Sequence, residues 1–210
     1  MKLYDYAASA NCYKVRLLLA QLGREYERVP VDIFGGDTLT DEYAAINPVR
    51  TTPVLEDPLG TFLQESNAIL LHLARATAFL PDDPQVYRWL FFEQADVVPT
   101  MGGLRFRLIT GRLSPDDPDA VQRREASYEV LALLDIELAQ RDFLIGSTYS
   151  VADIGIYGYV HVAEEAGLDL DDFASLRAWL ARVQAQPGYM NDLEPYPPNA
   201  RAGASRSIYD

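Results

Sequence analysis

The chain has 210 residues, 49% hydrophobic and 23% charged, a globular balance that excludes collagen-like, low-complexity and wholly disordered classes. Eighteen basic side chains against 31 acidic ones give a formal charge of −13, which repels nucleic acid; with Lys2 and Lys14 the only lysines, no polylysine patch exists for an anionic membrane. The single cysteine, Cys12, excludes an internal disulfide and a Cys-rich zinc site, and His72 and His161 lie far apart in sequence, so no metal is expected.

The N-terminus turns polar at Lys2 and Asp5, and no run approaches the ~18 apolar residues of a membrane span, so a cytoplasmic protein is the expectation. Residues 3–6 read as a short strand. Val15, Leu18, Leu19 and Leu22 recur at helical spacing, and Gly23 is a stop signal. Residues 26–33 alternate as a second strand, and a short helix over 41–46 ends at Asn47-Pro48. Residues 53–55 and 61–63 read as strands around an Asp57-Pro58-Leu59-Gly60 turn, and Ser66 caps a helix over 68–76. The order is βαβαββα, with the first two strands parallel and the last two antiparallel.

Pro81, Asp82, Asp83 and Pro84 mark residues 79–86 as a linker between a first domain, 1–78, and a second, 87–195. Beyond it the strand signal vanishes, and the periodicity predicts helices over 86–111, 117–140, 151–167 and 173–186. The first domain carries 7 basic and 10 acidic side chains and the remainder 11 and 21, so the charge sits mainly in the helical half. Residues 196–210, rich in Pro, Gly, Ser and Arg, form a tail that wraps or frays.

Four local features carry chemistry. Ser9-Ala10-Asn11-Cys12 opens the first helix; a helix N-terminus stabilises an anion, and a hydroxyl there either caps the helix or donates to a thiolate. Pro53 in Thr51-Thr52-Pro53-Val54 opens a strand; a cis bond would turn the Thr52 backbone outward toward an extended ligand, and a trans bond is the commoner state. Glu65 and Ser66 precede a helix and could grip an amine and a carboxylate, or simply solvate and cap. Ser150-Val151-Ala152-Asp153 reads as a structural capping box, with Asp in place of the usual Glu or Gln. Cys12 reads as buried and inert, His161 and His72 as packing residues, and Trp89, Phe91, Phe92 and Phe106 as core or dimer contacts.

In order and spacing, these stretches together with Ile46-Asn47-Pro48 and Gln64-Glu65-Ser66-Asn67-Ala68-Ile69 resemble the glutathione transferase superfamily over about residues 1–190. The likeness is closest to bacterial serine-type members with a Ser-x-Asn helix start. It implies an α/β thioredoxin-like N-terminal domain followed by an all-α helical-bundle domain, and a homodimer with glutathione as co-substrate. It implies that Ser9 hydrogen-bonds the glutathione sulfur and that Thr52, before a cis-Pro53, pairs with the cysteinyl backbone. Glu65 and Ser66 would hold the γ-glutamyl end, with Asn11 and Thr51 in the same site. Thr51 is shorter than the donor many members place there, and Arg50 is a substitute for reaching the glycyl carboxylate. Neither Tyr4 nor Tyr6 takes the sulfur-contact position. Met101, Arg105, Phe106, Arg107 and Tyr157 would wall a pocket for a small hydrophobic electrophile.

The implied function is a transferase that forms the glutathione thiolate and conjugates it to an electrophile, in the manner of detoxification enzymes. Two alternatives remain: a glutathione-dependent isomerase of the maleylacetoacetate type, whose Ser-Ser-Cys start differs from Ser9-Ala10-Asn11, and a non-catalytic binding or scaffold protein on the same fold.

Overall fold

Strand alternation and one helical return build the N-terminal sheet. In β1 (Lys2–Asp5) the side chains of Leu3 and Asp5 are buried, while Lys2 and Tyr4 are partly exposed. The chain returns through α1 (Ala10–Gln21), so β2 (Glu27–Pro30) pairs parallel to β1, with Lys2 opposite Glu27. β3 (Val54–Glu56) lies antiparallel to β1, and β4 (Phe62–Gln64) antiparallel to β3, giving a four-stranded sheet in the order β2-β1-β3-β4. The β3–β4 turn forms because Asp57 Oδ1 accepts the N–H groups of Leu59 and Thr61, both at 2.8 Å, while Gly60 supplies the left-handed φ of 81°. β2 is shorter than the 26–33 alternation predicts. Asp32 ends it by accepting the N–H groups of Phe34 and Gly35 at 3.2 and 2.8 Å.

Two further helices belong to this unit. α2 (Asp41–Ile46) starts where Thr40 Oγ1 accepts the Tyr43 N–H at 3.1 Å. α3 (Ser66–Leu73) packs against α1. Ser66 is not its cap, contrary to the sequence expectation. It is the first helical residue, and Glu65, whose carbonyl accepts the Ile69 N–H at 2.9 Å, occupies the cap position at a left-handed φ of 68°.

α1 is buried continuously from Cys12 to Leu19, including Lys14 and Arg16. Arg16 is compensated twice, by Asp5 Oδ1 at 2.5 Å and by Asp192 at 2.9 Å, and Arg28 Nε reaches Asp5 Oδ2 at 2.5 Å. A buried charge without such partners would be strongly destabilising. Asp192 lies on the returning end of the chain, which the Tyr13 hydroxyl also fastens by donating to the Met190 carbonyl at 3.0 Å. The computed structural model describes residues 1–209. Residues 1–73 and the chain from 190 onward form one compact unit, and residues 74–189 form a second.

The second unit is helical. Its first helical path runs unbroken from 85 to 109 but changes pitch: α4 (Gln85–Phe92), a π-helical stretch (Glu93–Gly102) and α5 (Gly103–Ile109). Pro99 lies inside the π-helical stretch; it has no N–H to give and its ring crowds the preceding turn, so a wider winding accommodates it. Gly102 lets a neighbouring helix approach, since a Cβ there would stand 2.6 Å from the Tyr159 ring. α6 (Pro118–Leu138) is capped by Asp117, and α8 (Ala174–Gln184) completes the bundle. α7 (Val151–Val160) is buried at every residue. It is shorter than the predicted 151–167, giving way to a 3-10 turn (Ala163–Ala166) that closes on Gly167 at φ 71°.

The capping box at the start of α7 is present in full. Asp153 accepts the N–H groups of Ser150 at 3.0 Å and Leu144 at 2.9 Å, and the Trp179 indole N–H at 3.0 Å. Burial pushes its carboxyl up to about 6 against the pull of these donors, so it is ionised at neutral pH.

Candidate active site

The site assembles in the first unit where α1 and α3 begin. Ser9 caps α1, its Oγ accepting the Cys12 N–H at 3.3 Å. Cys12 is fully buried, and its Sγ accepts the Tyr6 N–H at 3.4 Å. Burial and then Asp5 push the thiol up to about 12, while Thr52, the Tyr6 N–H and Ser9 pull it down by hydrogen bonding. Ser9 and Thr52, 43 positions apart in the chain, thus both act on one thiol. The thiol keeps its proton at neutral pH.

Thr52 stands just outside the sheet. The Thr52–Pro53 peptide is cis, and ladder pairing with β1 and β4 begins only at Val54. The loop before it is held by two groups whose role the sequence reading missed. Asn47, fully buried, donates from Nδ2 to the Thr51 carbonyl at 2.9 Å and to Thr51 Oγ1 at 3.1 Å. The Tyr43 hydroxyl donates to the same carbonyl at 2.8 Å. The signal was present in Ile46-Asn47-Pro48, because an Asn before a Pro is a turn residue with both donor and acceptor. Arg50, considered for a ligand carboxylate, turns its guanidinium to the carbonyls of Thr38 at 2.7 Å and Thr40 at 2.9 Å.

The second half of the site is tied to the first by Ser66, whose Oγ donates to Asn11 Oδ1 at 3.2 Å. Glu65 stands exposed beside it, on the strained backbone noted above. Ser9, Asn11, Thr51, Thr52, Pro53, Glu65 and Ser66 are thus brought together around the N-terminal ends of α1 and α3. Tyr4 and Tyr6 are used elsewhere. The Tyr4 hydroxyl donates to Glu56 at 3.0 Å, and the Tyr6 ring packs edge-on to Phe34 at 5.6 Å. The end of the chain also reaches this region: Arg206 N–H donates to the Phe34 carbonyl at 2.9 Å and the Tyr209 ring lies 6.2 Å from Phe34. Burial, and secondarily Cys12, raise the Tyr209 phenol above its ordinary value. No local pattern in residues 196–210 predicts that contact.

The five residues named for an electrophile pocket lie in the second unit. Met101, Arg105 and Tyr157 are buried there. Arg105 pairs with Glu165 at 2.7 Å, and the Tyr157 and Tyr189 hydroxyls pair at 2.7 Å. Phe106 and Arg107 are half-exposed, and Arg107 donates to the Gly103 carbonyl at 3.2 Å. His161 stacks on Tyr157 at 4.7 Å and donates through Nδ1 to the Tyr157 carbonyl at 2.7 Å, a packing role.

A thioredoxin-like sheet carrying a serine at its first helix start, joined to a helical domain, defines the class. Comparison with known proteins agrees. The glutathione S-transferase N-terminal domain model matches residues 3–79, and the glutathione S-transferase C-terminal domain model matches residues 89–187. A solved glutathione S-transferase from Pseudomonas fluorescens Pf-5 is 41% identical, with a TM-score of 0.88 over 92% of this chain and 98% of that one. Glutathione S-transferase stcT of Emericella nidulans is 32% identical over 155 residues, 70% of this chain and 71% of that protein. A glutathione transferase from Burkholderia graminis, solved with two glutathione molecules bound per subunit, is 28% identical with a TM-score of 0.76, covering 89% of this chain and 84% of that one. The chain belongs to the glutathione S-transferase family.

Proposed function

We propose that the protein binds glutathione, holds its sulfur as a thiolate and transfers it to a small hydrophobic electrophile. The observation that carries this reading is the Ser66–Asn11 hydrogen bond, which ties the start of α3 to the start of α1 that Ser9 caps. In this reading residues 1–78 bind glutathione and residues 87–195 hold the electrophile. Phe106 and Arg107 are the more accessible of the wall residues named, and Met101, Arg105 and Tyr157 are buried. The enzyme is a cytoplasmic homodimer.

The residues fit the ligand's chemistry. Thr52 lies outside the strand ladder, so its backbone is placed to pair with an extended peptide. The first N–H groups of α3 suit a carboxylate, and Glu65, exposed beside them, suits the α-amine. Ser9 Oγ already accepts a backbone N–H, so its own proton is the group left for a sulfur. Cys12, protonated at neutral pH, does not draw that proton as a thiolate would.

The magnitudes suffice. A free thiol has a pKa near 8.5, and lowering it by about two units needs roughly 2.7 kcal/mol. One hydrogen bond to a charged sulfur contributes about 1.5–3 kcal/mol and a helix N-terminus about 0.3–1 kcal/mol. Neither a metal nor a general base is needed for this step.

Isothermal titration with reduced glutathione tests the reading, followed by product analysis with halonitrobenzenes, isothiocyanates and peroxides. Saturable binding with a conjugated product supports it. Binding without product on any electrophile favours the isomerase or scaffold alternatives, and no binding at several millimolar, about the weakest useful affinity for a cellular thiol, removes the site assignment.

A further inference from the structure

Arg50 stands one residue before Thr51–Thr52, the edge that the proposed function presents to glutathione, and its backbone is left-handed at φ 61°. A long side chain is unfavourable there, and such a residue persists only where its surroundings over-determine it. Three bonds do so. The Arg50 N–H donates to the Asn47 carbonyl at 2.9 Å, and Nη1 donates to the carbonyls of Thr38 at 2.7 Å and Thr40 at 2.9 Å. Nη1 carries two N–H bonds, and both are used. Asp41 lies 4.0 Å from Nη2. Thr38 is 1% exposed, so drawing the guanidinium toward a ligand would take a charged donor from the carbonyl of a buried residue.

What Arg50 grips is itself fixed. Thr38 lies in a 3-10 turn (Asp37–Leu39), and Thr40 caps α2. Asp37 Oδ2 accepts the Asp32 N–H at 2.8 Å, and the Asp37 N–H donates to the Asp32 carbonyl at 3.2 Å, which closes the loop before that turn. The returning chain fastens the loop from outside. Asn199 Nδ2 donates to Asp32 Oδ2 at 2.9 Å, and the Arg206 N–H donates to the Phe34 carbonyl at 2.9 Å. From α2, the Tyr43 hydroxyl donates to the Thr51 carbonyl at 2.8 Å. A continuous set of bonds therefore runs from the returning chain through residues 32–40 to Arg50 and Thr51, all inside the first unit.

We propose that Arg50 is a positioning residue for glutathione: it locks the Thr51–Thr52 edge to the 38–40 turn, so that the Thr52 backbone is held ready to pair, and it makes no contact with the glycyl carboxylate. The proposal rests on the glutathione reading above and gives Arg50 a role other than the carboxylate contact expected from the sequence. Holding the edge in advance favours binding, because ordering a loop at the moment of association costs affinity.

The test compares two ligands by calorimetric titration: reduced glutathione and glutathione monoethyl ester, in which the glycyl carboxylate is esterified. Arg50→Asn places a residue that tolerates the left-handed backbone but is too short to reach Thr38 and Thr40. It is expected to weaken both ligands by the same factor, about five- to tenfold, with the number of sites per chain unchanged. Turnover at saturating glutathione is expected to stay within about twofold, so that the loss falls on KM and not on kcat. Arg50→Lys, whose ammonium can donate to the same carbonyls, is expected to recover part of the affinity for both ligands. A loss confined to glutathione, with the ester bound as tightly as by the unmodified protein, would put Arg50 on the carboxylate and overturn the proposal. Unchanged affinity for both ligands would overturn it as well, and so would fewer sites per chain at unchanged affinity, which marks a folding role alone. If the unmodified protein binds neither ligand, the glutathione reading itself falls and this proposal with it.

Discussion

Ser9 and Cys12 stand three positions apart and receive opposite environments. Ser9 is partly exposed at the start of α1, whereas Cys12 is fully buried and its thiol is pushed up to about 12. In the proposed function it is Ser9, not Cys12, that meets the glutathione sulfur. Ser9→Ala is therefore expected to lower conjugation by about tenfold to a hundredfold, the size of one hydrogen bond to a charged group, and to raise the pKa of the bound thiol. Titrating the thiolate absorbance checks this; an unchanged midpoint would remove Ser9 from the chemistry. Cys12→Ser is expected to leave turnover largely intact, because the Tyr6 N–H already provides a polar partner there. Complete loss of activity in that variant would shift the chemistry to Cys12.

Helix ends decide much at the level of elements. The start of α7 is fixed by Ser150 and Asp153, and Asp153 also holds Leu144 and Trp179, so one carboxylate joins a loop and two helices. Ser150→Ala removes the acceptor of the Ala152 N–H and is expected to cost about 1–2 kcal/mol, with Ser150→Thr recovering most of it. Urea denaturation of both variants measures the difference; equal losses would mean that the hydroxyl has no capping role. The 85–109 path teaches a related point. Apolar periodicity alone predicted one helix, and the change of pitch follows from a single missing N–H at Pro99.

For the whole molecule, two buried groups of the second unit set opposing pH dependences. Burial lowers His161 from 6.5 to about 4, so the folded state resists a proton that the unfolded chain takes up readily, and stability is lost as pH falls from about 6.5 toward 4. Asp153 is raised from 3.8 to about 6, so the folded state takes up its proton first, and stability rises over nearly the same window. His161→Gln removes the first contribution. Its stability relative to the unmodified protein is expected to improve by up to about 3 kcal/mol between pH 7 and pH 4. Urea denaturation at both pH values checks this, and a constant difference would contradict it. The returning chain contributes on the same scale. Deleting residues 198–210 uncovers Phe34, which Arg206 and Tyr209 now cover, and is expected to cost about 2–3 kcal/mol, read as a lowered denaturation midpoint.

The sequence by itself determined the strands and helices of both halves, the α7 capping box and the cluster of candidate residues in the first 66 positions. Those features depend on side-chain period and on which residues can satisfy backbone groups a few positions away, and both are local. It misread Ser66 as a cap, because a serine before an apolar run looks the same whether its hydroxyl turns to its own helix or to Asn11, 55 positions distant. Only the tertiary structure decided that Ser66 meets Asn11 between two helix starts, that Asn47 ties down Thr51, and that Asp192 answers the Arg16 charge across 176 positions. Such pairs are chosen by packing and by the need to compensate every buried charge and hydrogen-bonding group, and that need arises only once the chain has closed around them.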